Sequence, residues 1–181
     1  MRVVKLGGSL FETGQIFDCL SHIAKSNQQT VVVCGGGEFA NQVRQAQTRW
    51  HFDDVAAHEM AILAMQQTAI LCQNKNSEFT ICSTISDIEQ NYFAIWSPTI
   101  RELNNAQIPA TWEITSDSLA AWLAGKLNAE KLVLVKFCDI DSTLSIYELT
   151  TQGVVDFKFN DFISNEKFEL NIMSATTFLN S

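Results

Sequence analysis

The chain has 181 residues, of which 12 are Lys or Arg and 20 are Asp or Glu, so its formal net charge is −8 at pH 7. This length suits one domain with a substantial core, and 46% hydrophobic against 18% charged residues excludes an intrinsically disordered protein. An acidic chain without a Lys/Arg cluster does not suit nucleic acid or an anionic membrane surface, so a small molecule is the expected partner.

The first half of the chain alternates short β-branched runs with helical patterns. Residues 2–6 (RVVKL) predict a strand, and the apolar spacing over 13–25 predicts a helix. Residues 30–34 (TVVVC) predict a strand buried on both faces, followed by a helix over 38–48. Asp53 and Asp54 mark the start of a long helix that reaches about residue 73.

The second half repeats this alternation. Residues 79–82 and 92–95 predict short strands, 119–127 a helix, and 131–135 (KLVLV) another buried strand. Helices near 143–151 and 160–165 and a strand over 168–172 complete the chain. The pattern predicts an α/β fold, a three-layer αβα sandwich with a mainly parallel central sheet, whose ligands bind at the carboxyl ends of the strands.

The cysteines are dispersed and none forms a C-x-x-C pair, which indicates reduced core thiols rather than disulfides or a metal site. No run of about 18 apolar residues occurs, so we expect no membrane span. We therefore expect a cytoplasmic protein without a protein-bound metal site.

A candidate phosphate site follows the first strand. Gly7, Gly8 and Ser9 come after Lys5 at its end, and their backbone N–H groups can converge on an anion if the glycines adopt positive φ values. Lys5 lies on the strand face opposite to its two neighbours, where a phosphate would be a suitable partner. A plain turn with a lysine that reaches solvent is the alternative.

A second glycine loop, Gly35-Gly36-Gly37, follows the next strand and formally fits the G-x-G-x-x-A fingerprint of dinucleotide-binding proteins. That fingerprint needs a further strand ending in an acidic residue, whereas Asp53 and Asp54 open a helix here. We therefore predict a loop that lets a ligand lie against the backbone.

Two further segments carry polar residues suited to phosphates. Ser116 and Asp117 begin a predicted helix, where either can be a simple N-cap or, for Asp117, a carboxylate that orients lysines. Lys136 follows the KLVLV strand much as Lys5 ends the first. Two strand-borne lysines, two glycine loops and one aspartate suit phosphoryl transfer, in which a protein mainly positions and stabilises charge.

Residues 5–9 (KLGGS), 34–37 (CGGG) and 115–120 (TSDSLA), in this order, resemble the amino-acid kinase superfamily, over about residues 1–140. The resemblance implies an ATP- and Mg²⁺-dependent kinase. By it, Lys5 and Asp117 are catalytic, with Lys5 stabilising the transferring phosphoryl group and Asp117 organising the lysines. It also implies that Gly7, Gly8, Ser9, Ser116 and Lys136 hold the nucleotide, and that Gly35, Gly36 and Gly37 line the acceptor site.

Two stretches, 57–65 (AHEMAILAM) and 111–117 (TWEITSD), are similar to the aminomethylfuran-phosphate kinases of methanofuran biosynthesis in one-carbon metabolism. This resemblance adds His58 and Trp112 as acceptor-binding candidates, and it implies a phosphate monoester as acceptor. For its amino group, Glu59, Trp112 and Glu113 are available. A carboxylate acceptor would instead favour an arginine, and the candidates are Arg2, Arg44, Arg49 and Arg101.

The sequence also departs from the superfamily. The turn after KLVLV reads KFCDID instead of Thr-Asp-Val-x-Gly, and no Gly-Met-x-x-Lys segment supplies a second lysine. Lys136 is our candidate substitute. We expect one domain, with an acceptor-binding part at about 1–110 and a shortened nucleotide-binding part at about 111–181, and a homo-oligomer. A kinase for an amino-acid carboxylate or a nucleoside monophosphate, and a non-catalytic nucleotide-binding relative, are the alternatives.

Overall fold

The computed structural model describes residues 1–181. Strands and helices alternate from the amino to the carboxyl end, in the following order: β1 (Arg2–Leu6), α1 (Leu10–Thr13), α2 (Gln15–Ala24), β2 (Thr30–Cys34), α3 (Gly37–Trp50), α4 (Asp54–Lys75), β3 (Thr80–Cys82), α5 (Ile85–Glu89), β4 (Phe93–Trp96), α6 (Ile100–Asn105), α7 (Ser116–Lys126), β5 (Lys131–Lys136), α8 (Ile146–Thr151), α9 (Phe159–Ile163), β6 (Glu169–Ser174) and α10 (Ala175–Leu179).

The six strands form one sheet in the order β3-β4-β2-β1-β5-β6, and every neighbouring pair is parallel. Helices cover both faces, so the three-layer αβα prediction is confirmed, and the sheet is wholly rather than mainly parallel. Val3 and Val31 pack with α7 on one face, while Val4 and Val32 pack with α2 and α10 on the other. The fully apolar strands reflect burial on both faces.

The strand register brings the predicted site segments together. Leu6 at the end of β1 lies beside Cys34 of β2 and Val135 of β5. The two glycine loops and Lys136 therefore emerge at the same edge of the sheet. Because side chains alternate between faces, Lys5 and Lys136 both project to the face that α7 covers.

The predicted helix over 13–25 corresponds to α2, which begins two residues later, at Gln15. Gly14 adopts a left-handed conformation at φ +77° and separates α1 from α2. Helices α1, α5, α6 and α10 have four to six residues each and were not predicted, whereas the equally short α8 and α9 were. A segment of this length spans less than two helical turns and carries little periodicity. Asp53 caps α4 as expected, its carboxylate accepting the Ala56 N–H at 2.8 Å.

Helix α4 is long and apolar enough to cross a membrane by length and composition, which the sequence reading had excluded. Nearly half of its most apolar window, 44%, is buried inside the fold, against α3 and the sheet. A single helix of this kind is weak evidence for a membrane span, because core helices pass the same test of length and composition.

The cysteine prediction is confirmed for four of the five thiols. Cys19, Cys34, Cys72 and Cys82 are buried and free, whereas Cys138 is free but exposed in the loop after β5. Cys138 therefore is not a core residue.

Candidate active site

A buried cluster of charged side chains lies where β1, β5 and α7 meet. The Lys5 Nζ is 2.6 Å from Asp117 Oδ1, and the Lys136 Nζ is 2.6 Å from Asp117 Oδ2. Lys5, Asp117 and Lys136 are only 4%, 4% and 8% exposed. Each carboxylate oxygen thus faces one ammonium group, and the cluster keeps one positive charge in excess. Such an excess of positive charge suits a phosphate group.

The surroundings shift the pKa values within this cluster. Burial would raise the pKa of Asp117, but Lys5 and Lys136 outweigh it and lower the pKa to about 2. Burial, together with repulsion from Lys5, lowers the pKa of Lys136 to about 8, although Asp117 and Asp156 oppose the change. At pH 7 the carboxylate is therefore ionised and Lys136 is mostly protonated.

Asp117 is not the N-cap of α7, one of the two roles considered from the sequence. Thr115 occupies the N-cap position. Asp117 lies in the first turn and turns inward to the two lysines, which is the orienting role.

The two glycine loops touch each other through their backbones. A Cβ atom on Gly8 would lie 2.7 Å from the amide nitrogen of Gly37, and one on Gly35 would lie 2.7 Å from that of Gly8. Glycine is needed at both positions because any side chain would force the loops apart. Gly7 and Gly8 do not have the positive φ that we predicted; of the loop glycines it is Gly37 that does, at φ +54°.

The backbone amides of Gly8 and Ser9 donate to no acceptor within the protein. Gly7 differs from them, because its N–H donates to the Val135 carbonyl at 2.9 Å and so anchors the loop to β5. Gly8 and Ser9 are therefore available to an anion, whereas Gly7 is a structural part of the loop.

A cavity of about 220 Å³ opens beside these loops. Eight of the predicted site residues line it, namely Gly8, Ser9, Gly35, Gly36, Gly37, His58, Trp112 and Ser116. Lys5, Asp117, Lys136 and Gly7 do not line it. The structure thus brings the two glycine loops, α4 and the start of α7 around one cavity, and Ser116 of its lining directly precedes Asp117 of the buried cluster.

An arginine stacks on an indole in the cavity lining. The Arg44 guanidinium lies 3.7 Å from the centre of the Trp112 ring, and the indole N–H donates to Gln47 Oε1 at 2.7 Å. The stack places a positive charge and an aromatic face in the same cavity. Arg44 and Gln47 lie on α3, far from Trp112 in the chain. The sequence therefore gave no indication of which of its four arginines contacts Trp112.

Other polar residues of the cavity differ from the predicted set. Glu59 and Glu113, the predicted acidic candidates, do not line it, whereas Glu12 of α1 does. His58 is buried, and burial lowers its pKa despite the opposing effects of the Thr111 carbonyl and Glu59. His58 is therefore a neutral imidazole at pH 7.

The amino end of α7 is held by a residue that sequence reasoning missed. The Asp156 carboxylate accepts the backbone N–H groups of Thr115 and Ser118 at 2.9 and 3.0 Å. It also accepts both of their hydroxyl groups. An aspartate some 40 positions away in the chain carries no local signal for such a contact.

The chain offers phosphates a good fit, with two lysines and free amides at one place. It provides few ligands for Mg²⁺, because both oxygens of Asp117 already contact lysines. No group of three His, Cys, Asp or Glu residues is positioned to hold a metal. Magnesium commonly binds through substrate phosphates and water, so it would enter with the nucleotide.

A sequence model of the amino acid kinase family matches residues 1–141, which include both lysines, both glycine loops and Asp117. The chain belongs to the amino acid kinase family. It is therefore a kinase, as the resemblance implied.

One curated relative and several solved structures are similar to this kinase. It is 29% identical over 146 residues to the [5-(aminomethyl)furan-3-yl]methyl phosphate kinase of Methanocaldococcus jannaschii, covering 78% of this chain and 67% of that enzyme. The uridylate kinase of Archaeoglobus fulgidus superposes with a TM-score of 0.75 at 17% identity, over 99% of this chain and 94% of that one. The UMP kinase of Bacillus anthracis gives 0.72 at 12% identity, over 97% and 87%. At these identities the two structures establish the fold alone.

Proposed function

We propose that this kinase transfers the γ-phosphoryl group of ATP to the phosphate of a small phosphomonoester, with aminomethylfuran phosphate as the acceptor in methanofuran-type biosynthesis. An acceptor phosphate oxygen forms a bond to the γ-phosphorus, the bond to the β,γ-bridging oxygen breaks, and ADP leaves. The product is a diphosphate. The observation that carries this proposal is the Lys5–Asp117–Lys136 cluster together with the free amides of Gly8 and Ser9.

The cluster supplies what phosphoryl transfer needs. Charge spreads over the equatorial oxygens of the transferring group, so fixed cations and N–H donors lower the barrier. Asp117 holds Lys5 and Lys136 in place and keeps their mutual repulsion low. We assign Lys136 the role of the second phosphate-binding lysine, since it sits on the opposite oxygen of the same carboxylate as Lys5. Magnesium on the nucleotide would supply further positive charge.

The acceptor side of the cavity suits a small anionic aromatic compound. Arg44 offers a guanidinium for a phosphate, and Trp112, which lines the same cavity, adds aromatic surface for contact with a furan ring. His58, being neutral, adds a hydrogen-bonding group without charge. Glu12 is the acidic residue of the cavity lining and so is our candidate for the amino group. The 29% identical relative is named for the same acceptor, which supports aminomethylfuran phosphate as the proposed substrate.

Arg44 also favours a second candidate, an amino-acid carboxylate acceptor, because a guanidinium binds either anion. The two are separated by an ADP-release assay with ATP and Mg²⁺ against a panel of acceptors: aminomethylfuran phosphate, nucleoside monophosphates and amino acids. We expect turnover with the furan phosphate. Turnover with another acceptor alone would assign that substrate instead, and no turnover with any would contradict the proposal.

The acceptor site itself is tested by Arg44→Met. Loss of a charge-assisted contact of about 1.5–3 kcal/mol predicts a KM for the acceptor raised roughly 10- to 150-fold, with the KM for ATP almost unchanged. Arg49→Met is the matched control, since Arg49 also neighbours an indole, that of Trp50 at 5.7 Å, but lies outside the cavity lining. Equal effects of the two variants would contradict the role of Arg44.

We also propose a cytoplasmic homo-oligomer. The outer face of α4 exposes Val55, Leu63 and Ile70 by 54%, 46% and 62%, an apolar surface that a second copy would cover. Light scattering is expected to give at least twice the chain mass of 20.2 kDa. Ile70→Glu should return the protein to a monomer, and a wild-type monomer at micromolar concentrations would overturn the proposal.

A further inference from the structure

Residues 153–159, in the carboxyl-terminal part of the chain, contact the amino end of α7. We propose that Asp156 is a positioning residue of this kinase, which holds the first turn of α7 so that Asp117 stays between Lys5 and Lys136. This inference rests on the proposed phosphoryl transfer at that cluster. Asp156 lies beyond residues 1–141, the part of the chain that the family model matches.

The amino end of α7 is capped by a side chain from outside the helix. In α5, α6 and α10 the N-cap side chain itself accepts an N–H from the first turn of its own helix. Thr115, the N-cap of α7, makes no such bond. Its hydroxyl donates instead to Asp156, 2.9 Å away, and a remote carboxylate takes over the capping.

Asp156 brackets the functional turn. It binds Thr115 on one side and Ser118 on the other, through both backbone N–H groups and both hydroxyls. Between these two residues lie Ser116, which lines the cavity, and Asp117, which contacts the lysines. A rotation of this turn would move the Asp117 carboxylate off at least one ammonium group.

The backbone segment that carries Asp156 is itself fixed by packing and a hydrogen bond. Val155 and Phe159 on either side of it are 3% and 0% exposed and belong to the same core as α7. The N–H of Lys158 donates to the Glu113 carbonyl at 3.0 Å, which fastens this segment to the loop before α7. The carboxylate therefore has a fixed position from which to hold the helix.

Asp156 also acts on the cluster through its charge. The charged groups that face Lys136 are Lys5 on β1, Asp117 on α7 and Asp156 before α9, and the Asp156 carboxylate raises the pKa of Lys136. Loss of the negative charge should favour the neutral amine of Lys136. A role in helix stability alone would not change this titration.

The test compares Asp156→Asn, which keeps the shape and removes the charge, with Thr84→Val. Thr84 caps α5, where its hydroxyl accepts the Asp87 N–H at 3.1 Å, and it does not line the cavity. With ATP, Mg²⁺ and aminomethylfuran phosphate, we expect Asp156→Asn to lower kcat about 10- to 100-fold, the range for small misplacement of a reacting group. Both KM values should stay within about threefold, and Thr84→Val should match the wild type.

A second pair of measurements needs no turnover. Amide hydrogen exchange over residues 115–119 should be faster in Asp156→Asn than in the wild type, and the titration of ¹³C-labelled Lys136 should move to lower pH. If the wild type shows no turnover with any acceptor but both changes occur, the proposed function fails and the positioning role stands. Unchanged exchange and titration, or a kcat within twofold of the wild type in an active enzyme, would overturn the role of Asp156.

Discussion

Replacement of Lys5 by methionine tests the reaction most directly. The Lys5 side chain is 5% exposed, and its ammonium lies 2.6 Å from Asp117. Methionine keeps most of the volume of the stem and removes the charge. Asp117 retains Lys136 at 2.6 Å, so its carboxylate is not left without a cation. The loss in the free energy of unfolding should therefore be smaller than the about 3–5 kcal/mol that follows when a buried charge loses its only partner.

The rate should suffer far more than the fold. Removal of one preorganised donor from a transition state typically lowers kcat by about 10²–10³, or about 2.7–4 kcal/mol. We expect the same loss for Lys5→Met in the ADP-release assay with ATP, Mg²⁺ and aminomethylfuran phosphate. The affinity for ATP should fall much less, because the free amides of Gly8 and Ser9, which we propose to bind its phosphates, are unchanged.

The same variant has a second signature in its pH profile. Repulsion from Lys5 is one cause of the lowered pKa of Lys136, so its removal should raise that pKa. Any residual activity of Lys5→Met should therefore persist to higher pH than that of the wild type. A structural defect would give no such change.

Lys131→Met is the matched control, since Lys131 also lies on a strand but its Nζ pairs with the exposed Glu169 at 3.0 Å. Exposed pairs contribute little to stability, so this variant should equal the wild type in rate. Turnover of Lys5→Met within about threefold of the wild type would refute the mechanism. A loss shared by Lys131→Met would show that the assay reports folding and not the reaction.

Two further properties of Lys136 and one of the glycine loops can be measured. The pKa of Lys136, about 8, predicts that kcat falls as pH rises through that value. Lys136→Arg should move this decrease in kcat to higher pH. A kcat that stays constant to about pH 9.5 in the wild type would contradict the role of Lys136. Between pH 8 and 10.5 the unfolded chain binds more protons at this lysine than the folded chain does. The free energy of unfolding in urea should therefore rise with pH in the wild type, relative to Lys136→Met. A fall with pH would contradict the direction of the Lys136 pKa shift. Gly8→Ala places a Cβ 2.7 Å from the Gly37 nitrogen and should lower kcat at least about tenfold; a crystal structure of the variant with unmoved loops and full activity would exclude the tight contact.

The sequence by itself determined the strands, the long helices and the position of the two lysines near the carboxyl ends of their strands. A run such as TVVVC has no polar residue and can only be buried on both faces, which a parallel sheet between helix layers provides. Alternation along β1 places Lys5 on the face opposite to Val4 and Leu6. Only the register of β1 with β5, in which Lys5 lies beside Leu134, puts Lys136 on that same face. Glycines directly after two strands indicated close backbone approach, although the reason proved to be contact between Gly8 and Gly35 and not positive φ at Gly7 and Gly8.

Only the tertiary structure decided which residues complete the site. The stacking of Arg44 on Trp112, the presence of Glu12 in the cavity and the capping of α7 by Asp156 all join residues that are far apart in the chain. Periodicity and turn chemistry report on neighbours within a few positions, and nothing in them specifies which of four arginines reaches a cavity. Those contacts follow from how the helices pack on the sheet, because packing brings distant side chains within hydrogen-bonding distance and excludes water from between them.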